Sequence, residues 1–213
     1  MKGMRKIKPL YSFFMEVLFS FFVASILLTL SPGPDLLMVI AQSIEKGAYT
    51  AWWFVLGLLT GLLMHTSLLI LGWAQFIGER PHVVGLIKWF GFIYFSFLGL
   101  KSTVAFINKK DKNPAAKLNA TKSSYQQGIL MNGINPKVSL FFWLFFPGFL
   151  FSDTLPIALQ YAVLGCLFIV QATVVFGGVI FFANQFSHFF SRYRFGLVSG
   201  LLWLFLAVYL VVD

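Results

Sequence analysis

The chain has 213 residues, of which 59% are hydrophobic and only 11% are charged. In a soluble domain roughly a quarter of all residues are charged, so this composition excludes an ordinary soluble globular protein. Apolar runs of about 20 residues, the length that crosses the hydrocarbon layer, recur along the chain and indicate a polytopic protein of the lipid bilayer.

The net charge of +9 does not indicate a nucleic-acid partner. The basic residues cluster at the ends and in loops, where they set orientation and contact anionic lipid. The single cysteine, Cys166, lies in an apolar run, so an internal disulfide and a pair of redox thiols are both excluded. We expect neither nucleic acid as a partner nor a cofactor.

The hydropathy pattern predicts an all-α integral membrane protein with six transmembrane helices. A basic N-terminal extension (1–16) precedes a first three-helix half (17–107), a basic linker loop (108–124) and a second three-helix half (125–213). The predicted spans are 17–44, 48–77, 83–107, 125–151, 156–183 and 195–212.

The first span is interrupted by Pro32-Gly33-Pro34, with Asp35 directly after it. Each proline removes a backbone donor and clashes with the preceding turn, so the span is predicted to be two half-helices. Broken backbone in a bilayer is tolerated where it is buried in protein or lines a wet cavity. A carboxylate at that depth is by default a candidate functional residue.

Span two carries small residues at spacings that favour close helix packing. Gly57 and Gly61 form a small-xxx-small pair, Gly47 falls close to the same face, and His65 follows one turn later. Such faces occur inside bundles and between subunits, so the sequence leaves open whether a homo-oligomer forms. His65 is either a packed interior residue or a proton relay.

Span four contains a second interruption at Asn135-Pro136, followed by Lys137. Paired interruptions in corresponding spans are the best sequence indication of a transporter binding site. Three spans in each half also make the halves inverted, because an odd number of spans reverses the second one. We therefore predict two inverted three-helix repeats, with helices one and four broken at Pro and Gly.

The basic residues favour an orientation with both termini outside. That orientation places eight basic residues in inner loops, against five outside (Lys2, Arg5, Lys6, Lys8 and Arg80).

The residues at the two breaks carry opposite charges. The half-helix after Pro34 exposes backbone N–H groups that could hold a carboxylate, but Asp35 competes for the same end. Asp35 is alternatively a helix cap, a partner for a substrate ammonium, or a group that exchanges a proton. Lys137 either snorkels toward the linker or pairs with Asp35, directly or through substrate; we predict the pair.

Metal export, catalysis and ATP-driven transport have little support in the sequence. Metal export would need clustered Asp, His or Cys within the spans, and only Asp35 and His65 qualify, so no metal site is predicted. No catalytic residue is predicted either, because the spans lack a nucleophile with its base. There is no P-loop for direct ATP drive.

These residues resemble a known family. Ser31 to Asp35, then Gly47, Gly57 and Gly61, is similar to the N-terminal signature of the LysE/RhtB family of amino-acid exporters. The second half agrees in its span-four pattern: Tyr125 to Gly128, Asn135-Pro136-Lys137, Phe141-Phe142 and Pro147-Gly148-Phe149. The resemblance implies a secondary transporter of the bacterial inner membrane. It implies a small amino acid or derivative as substrate and the proton gradient as the driving force.

Overall fold

The computed structural model describes residues 10–31, 33–72, 79–107 and 123–183, with the single positions 76, 201, 204, 205, 207 and 208. The described chain is helical: α1 Leu10–Leu30, α2 Pro34–Ile70, α3 Pro81–Ile107, α4 Ser124–Gly133, α5 Pro136–Leu140 and α6 Ile157–Phe181. A π-helical turn (Phe141–Phe145) and a 3-10 turn (Phe146–Phe149) follow α5. In this part of the chain, three helices are long and apolar enough to cross a membrane, or four if the bent α4–α5 segment is one span.

The first predicted break is present, because α1 ends at Leu30 and α2 begins at Pro34. Gly33 caps α2 in an extended conformation (φ −160°, ψ 176°), and Pro34 opens the helix. Proline suits this first position because its missing N–H would have no intrahelical partner there. Pro32, which the sequence predicts to be part of the site, lies outside the described residues.

The second predicted break is present as well. Helix α4 ends at Gly133, α5 begins at Pro136, and the axis bends by 47° between them. Asn135 caps α5, and its side-chain oxygen accepts a hydrogen bond from the backbone N–H of Lys137 at 3.1 Å. The proline cannot continue the helix of the preceding segment, and the asparagine supplies the cap that restarts it.

Helix α2 is itself two helices joined at Gly47, whose backbone is left-handed (φ 81°, ψ 166°). We call residues 34–46 α2a and residues 48–70 α2b. This turn coincides with the predicted boundary between spans one and two. It corrects the prediction that Gly47 shares a face with Gly57 and Gly61, because the helical periodicity does not pass through a left-handed residue. Nothing lies within 4 Å of a side chain built at Gly47.

Helix α2b is the centre of the described bundle, with α4 and α6 packed against it at close range. A Cβ at Gly57 would meet the backbone of Gly128 in α4, and a Cβ at Gly165 in α6 would meet Thr66. The absence of a side chain therefore lets α2b and α4 approach nearly backbone to backbone at Gly57, and gives the Thr66 side chain room at Gly165. Helix α2b ends at Ile70, before the predicted residue 77, and the left-handed Gly72 (φ 87°) follows it.

Phenylalanine rings fill the space between α1, the turns after α5 and α6. Phe142 stacks on Phe146 with ring centroids 4.2 Å apart, and Phe21 meets Phe146 edge to face at 5.1 Å. Phe168 of α6 closes the group at 5.4 Å from Phe142. Aromatic pairs of this kind add about 0.5–1.5 kcal/mol each beyond the area they bury, so the cluster makes the irregular turns a fixed part of the core.

A short loop joins the second broken helix to α6, and Gln160 holds it in place. Its side-chain oxygen accepts from the backbone N–H of Phe151 at 2.8 Å and of Ser152 at 3.1 Å. Its amide nitrogen donates to the carbonyl oxygens of Ser152 and Leu155. The buried Gln160 side chain therefore satisfies four backbone groups of the loop that have no intrahelical hydrogen-bond partner.

The division into two inverted repeats stays a prediction, as do the domain boundaries. Most of the linker (108–124) and of the sixth predicted span (195–212) lies outside the described residues.

Candidate functional site

The two helix breaks lie side by side in the interior. Asp35 is the second residue of α2 and is 7% exposed, while Lys137 is the second residue of α5 and is 4% exposed. Each follows a proline that opens its helix. The local sequences dictate this similarity, because a cap, a proline and then a charged residue start both helices.

Each charged side chain reaches across to the end of the other broken helix. Asn132, in the last turn of α4, donates from Nδ2 to Asp35 Oδ2 at 3.2 Å. Lys137 Nζ donates to the carbonyl oxygen of Ser31, just after α1, at 2.9 Å. The cation therefore lies at a helix C-terminus, where the exposed carbonyl groups stabilise positive charge. The two charges also interact with each other electrostatically.

Two glycines make the room that these contacts need. A Cβ at Gly33 would lie 3.2 Å from Lys137 Nζ. A Cβ at Gly61 would lie 2.5 Å from Asn132 Oδ1 and 2.7 Å from its Cβ. Gly61 of α2b therefore admits the Asn132 side chain that holds the Asp35 carboxylate.

A small cavity lies between the two charges and the apolar face of α6. Its volume is about 20 Å³, which is enough for about one water molecule. An amino acid is larger than this space, so the cavity would have to widen to admit one. The cavity is lined by Leu28, Thr29, Asp35, Leu62, Asn132, Lys137, Val138, Phe168, Ala172 and Phe176.

Several buried polar atoms at the site have no hydrogen-bond partner among the described residues. They include Asp35 Oδ1, Asn132 Oδ1 and the amide nitrogen of Asn135. Asn135 lies close enough to Asp35 to influence its charge, although its amide nitrogen does not meet hydrogen-bond geometry. Buried polar groups are normally paired, so these acceptors and this donor are candidates for ligand contacts.

His65 lies next to the site, behind Asn132. Its Nε2 is 3.4 Å from the backbone oxygen of Asn132, and its ring packs against Phe142 with centroids 5.4 Å apart. Its Nδ1 has no partner among the described residues. His65 therefore contacts the end of α4 rather than the cavity itself.

Gly57 also lies away from the cavity, where α2b crosses α4 against Gly128. Two polar contacts flank this crossing. Gln42 of α2a donates to Gln127 at 3.2 Å, and the hydroxyl groups of Thr60 and Tyr125 are 3.0 Å apart. Buried polar pairs at a glycine crossing fix the register of the two helices.

Sequence reasoning missed several residues at the site. Asn132, Ser31 and Thr29 contact or line it, and Gln171 of α6 donates to Thr29 Oγ1 at 3.0 Å. Asn132 had a usable signal, since it stands one turn before the second break. Thr29 and Ser31 stand just before the first break, whereas the contact of Gln171 depends on how the helices cross.

The described residues do not bring together three or more His, Cys, Asp or Glu side chains that could hold a metal ion. Asp35 is the acidic group at the cavity, and a lysine lies opposite it. The arrangement is chemically suited to a ligand that carries both charges.

Comparison with known proteins gives a consistent result. The family model described as LysE type translocator matches residues 26–213. The chain is 29% identical over 167 residues to the homoserine/homoserine lactone efflux protein of Salmonella typhimurium, covering 78% of this chain and 80% of that one. It is 30% identical over 144 residues to the uncharacterized membrane protein YrhP of Bacillus subtilis, covering 64% of this chain and 69% of that one.

A leucine efflux protein of Salmonella choleraesuis is 24% identical over 131 residues, or 62% of each chain. No solved structure is significantly similar to this chain. The family match covers most of the sequence, including both helix breaks, and the apolar helices agree with a multi-pass membrane location. The chain belongs to the LysE type translocator family of membrane transporters.

Proposed function

We propose that this protein is a proton-coupled secondary transporter that exports small amino acids or their derivatives across the bacterial inner membrane. The observation that carries the proposal is the small cavity that both Asp35 and Lys137 line. Relatives named for efflux of homoserine, homoserine lactone and leucine support this class of substrate.

An α-amino acid matches the site group by group. Its ammonium is complementary to Asp35, whose Oδ1 has no partner among the described residues. Its carboxylate is complementary to the Lys137 ammonium and to the Asn135 amide nitrogen. A zwitterion placed in this way leaves no charge stranded in the membrane interior, where isolated charges are expensive.

Proton coupling follows from competition at Asp35. A carboxylate neutralised by a proton no longer attracts an ammonium, so Asp35 holds either a proton or the substrate. Proton entry from outside and substrate entry from inside then alternate on one residue. That competition produces exchange without a second ion site.

The cavity must open for each exchange, because its volume admits about one water. The pairs α2b–α4 and α2b–α6 are close-packed, with backbone meeting backbone at Gly57 and Gly128 and the Thr66 side chain filling the space at Gly165, so we expect them to move together. Opening is therefore expected where α1 meets α6. Gln171 makes a polar contact with Thr29 at this border.

Export of a metal cation has less support than export of an amino acid. The described residues do not place three ligating side chains together. A lysine at the same cavity would also repel a cation.

The test is efflux of a labelled amino-acid panel from cells that express this chain, compared with Asp35→Asn. We expect export of one or a few amino acids, and we expect both the substitution and a protonophore to abolish it. Glu45→Gln, the same acid-to-amide change at an exposed position near the end of α2a, should leave efflux unchanged.

Efflux that persists in Asp35→Asn would leave Asp35 as a helix cap and contradict the coupling role. Absence of efflux for every amino acid, with the protein present in the membrane, would contradict the proposed function.

A further inference from the structure

The walls of the cavity differ in chemistry. Asp35, Asn132 and Lys137 provide one polar side. The remaining lining residues are apolar except for Thr29, and helix α6 supplies three of them, Phe168, Ala172 and Phe176. An amino acid bound at the two charges would therefore present its side chain to a largely apolar lining.

The α6 wall is a single helical row with a notch in its middle. Phe168, Ala172 and Phe176 are spaced by four residues, so they lie one above the other on one face. Ala172 is fully buried (0% exposed) and has the smallest side chain of the three. The space between the two rings is therefore set by the methyl group of Ala172.

The charged residues that line the cavity are of opposite sign, so their charges cancel. Among the residues described as lining it, Asp35 and Lys137 are the charged ones. The ammonium and carboxylate of an amino acid engage both of them. A third charge, on a lysine or arginine side chain, would face Phe168 and Phe176 without a partner.

We propose that the α6 wall receives the substrate side chain, that it selects uncharged side chains over cationic ones, and that Ala172 limits their size. This inference rests on the proposed function, because it presupposes an amino acid at Asp35 and Lys137. It adds the substrate subclass and a specificity-determining residue.

Two of the three wall residues are suitable for substitution. Phe168 is held by the rings of Phe141 at 5.7 Å and Phe142 at 5.4 Å, so truncating it would disturb the aromatic core. Ala172 and Phe176 allow opposite changes of volume. Ala172→Val fills the notch, and Phe176→Ala enlarges it.

The experiment measures export of alanine, leucine and lysine in parallel, with the leucine-to-alanine ratio as readout. A ratio does not depend on how much folded protein each variant yields. We expect Ala172→Val to lower the ratio by about tenfold, the scale of discrimination by one or two methylene groups in an apolar pocket. Phe176→Ala should raise it, and the parent chain should export lysine far less than leucine.

Matched substitutions on the exposed face of α6 serve as controls. Ala158 is exposed and Phe181 is 80% exposed, so Ala158→Val and Phe181→Ala should leave the ratio unchanged.

Equal loss of alanine and leucine export in Ala172→Val, together with an unchanged ratio in Phe176→Ala, would overturn the inference. Export of lysine at the rate of leucine would overturn it as well. Failure of the proposed function is distinct from both, because the parent chain would then export no member of the panel.

Discussion

The Cα atom of Gly61 faces the side chain of Asn132 so closely that a methyl group added there would lie 2.5 Å from Oδ1. Asn132 in turn holds the Asp35 carboxylate at 3.2 Å. The packing of α2b against α4 therefore determines where the Asp35 carboxylate lies, and Gly61 acts on that position through Asn132.

The first prediction follows from that packing. Gly61→Ala should displace Asn132 and abolish or strongly reduce export, with a loss of stability of about 1–3 kcal/mol, the usual cost of overpacking. Efflux and thermal unfolding in detergent measure the two effects. Gly178→Ala is the control, because nothing lies within 4 Å of its added methyl group. Normal export by Gly61→Ala would show that Asn132 does not position the carboxylate.

The second prediction concerns the energetic coupling of the two charges. Asp35→Asn alone removes the carboxylate that interacts electrostatically with the buried Lys137, and we expect a loss of stability below the roughly 3–5 kcal/mol that breaking a direct buried pair costs. Asp35→Asn combined with Lys137→Gln removes both charges and should recover much of that loss. Unfolding temperatures of the parent, the single variants and the double variant form the required cycle.

Transport should not recover with stability in the double variant, because the zwitterion then has no complementary charge. Additive losses in the cycle would mean that the two residues act independently. Restored export would contradict the proposed site.

The third prediction concerns the turn at Gly47. Its left-handed backbone (φ 81°) costs an L-residue roughly 1–2 kcal/mol, while the open space around it removes any steric cause. Gly47→Ala should therefore destabilise the protein, and Gly47→Asn should do so as well, since ψ of 166° lies outside the αL region that asparagine tolerates. Gly85→Ala, also in open space but within α3, should have no such cost. Equal stability of Gly47→Ala and the parent would argue against the left-handed turn.

The fourth prediction concerns orientation. With both termini outside, the loop before α6 faces outward and the turn near Gly47 faces the cytoplasm. In a Cys166→Ala background, Asp153→Cys should react with a membrane-impermeant maleimide in intact cells. Glu45→Cys should react only after the membrane is permeabilised. Both positions are exposed, so accessibility of the side chain is matched. The reverse labelling pattern would invert the assignment.

The helix breaks could be predicted from the sequence because proline acts locally. Pro34 and Pro136 each prevent the preceding helix from continuing, however the neighbouring helices pack. Burial of Asp35 and Lys137 followed from their place inside apolar runs. The residues thus identified lie at or beside one cavity, apart from Gly57 at the helix crossing and Pro32 outside the described residues.

The contacts between the breaks could not be predicted, because they depend on how separate helices cross. The pairing of Lys137 with the Ser31 carbonyl joins residues 106 apart in sequence, and that of Gln171 with Thr29 joins residues 142 apart. Gly47 shows the converse error. Its spacing from Gly57 and Gly61 suggested a shared packing face, but the non-helical backbone at Gly47 interrupts the helix between them.

The narrowness of the cavity has a consequence for the cell. A bacterium stores energy as a proton gradient across its inner membrane, and any continuous file of water through a transporter would dissipate it. A space of about 20 Å³ between Asp35 and Lys137 cannot hold such a file. Under the proposed function, a space this narrow would limit the leak of protons at this level while the transporter waits for substrate.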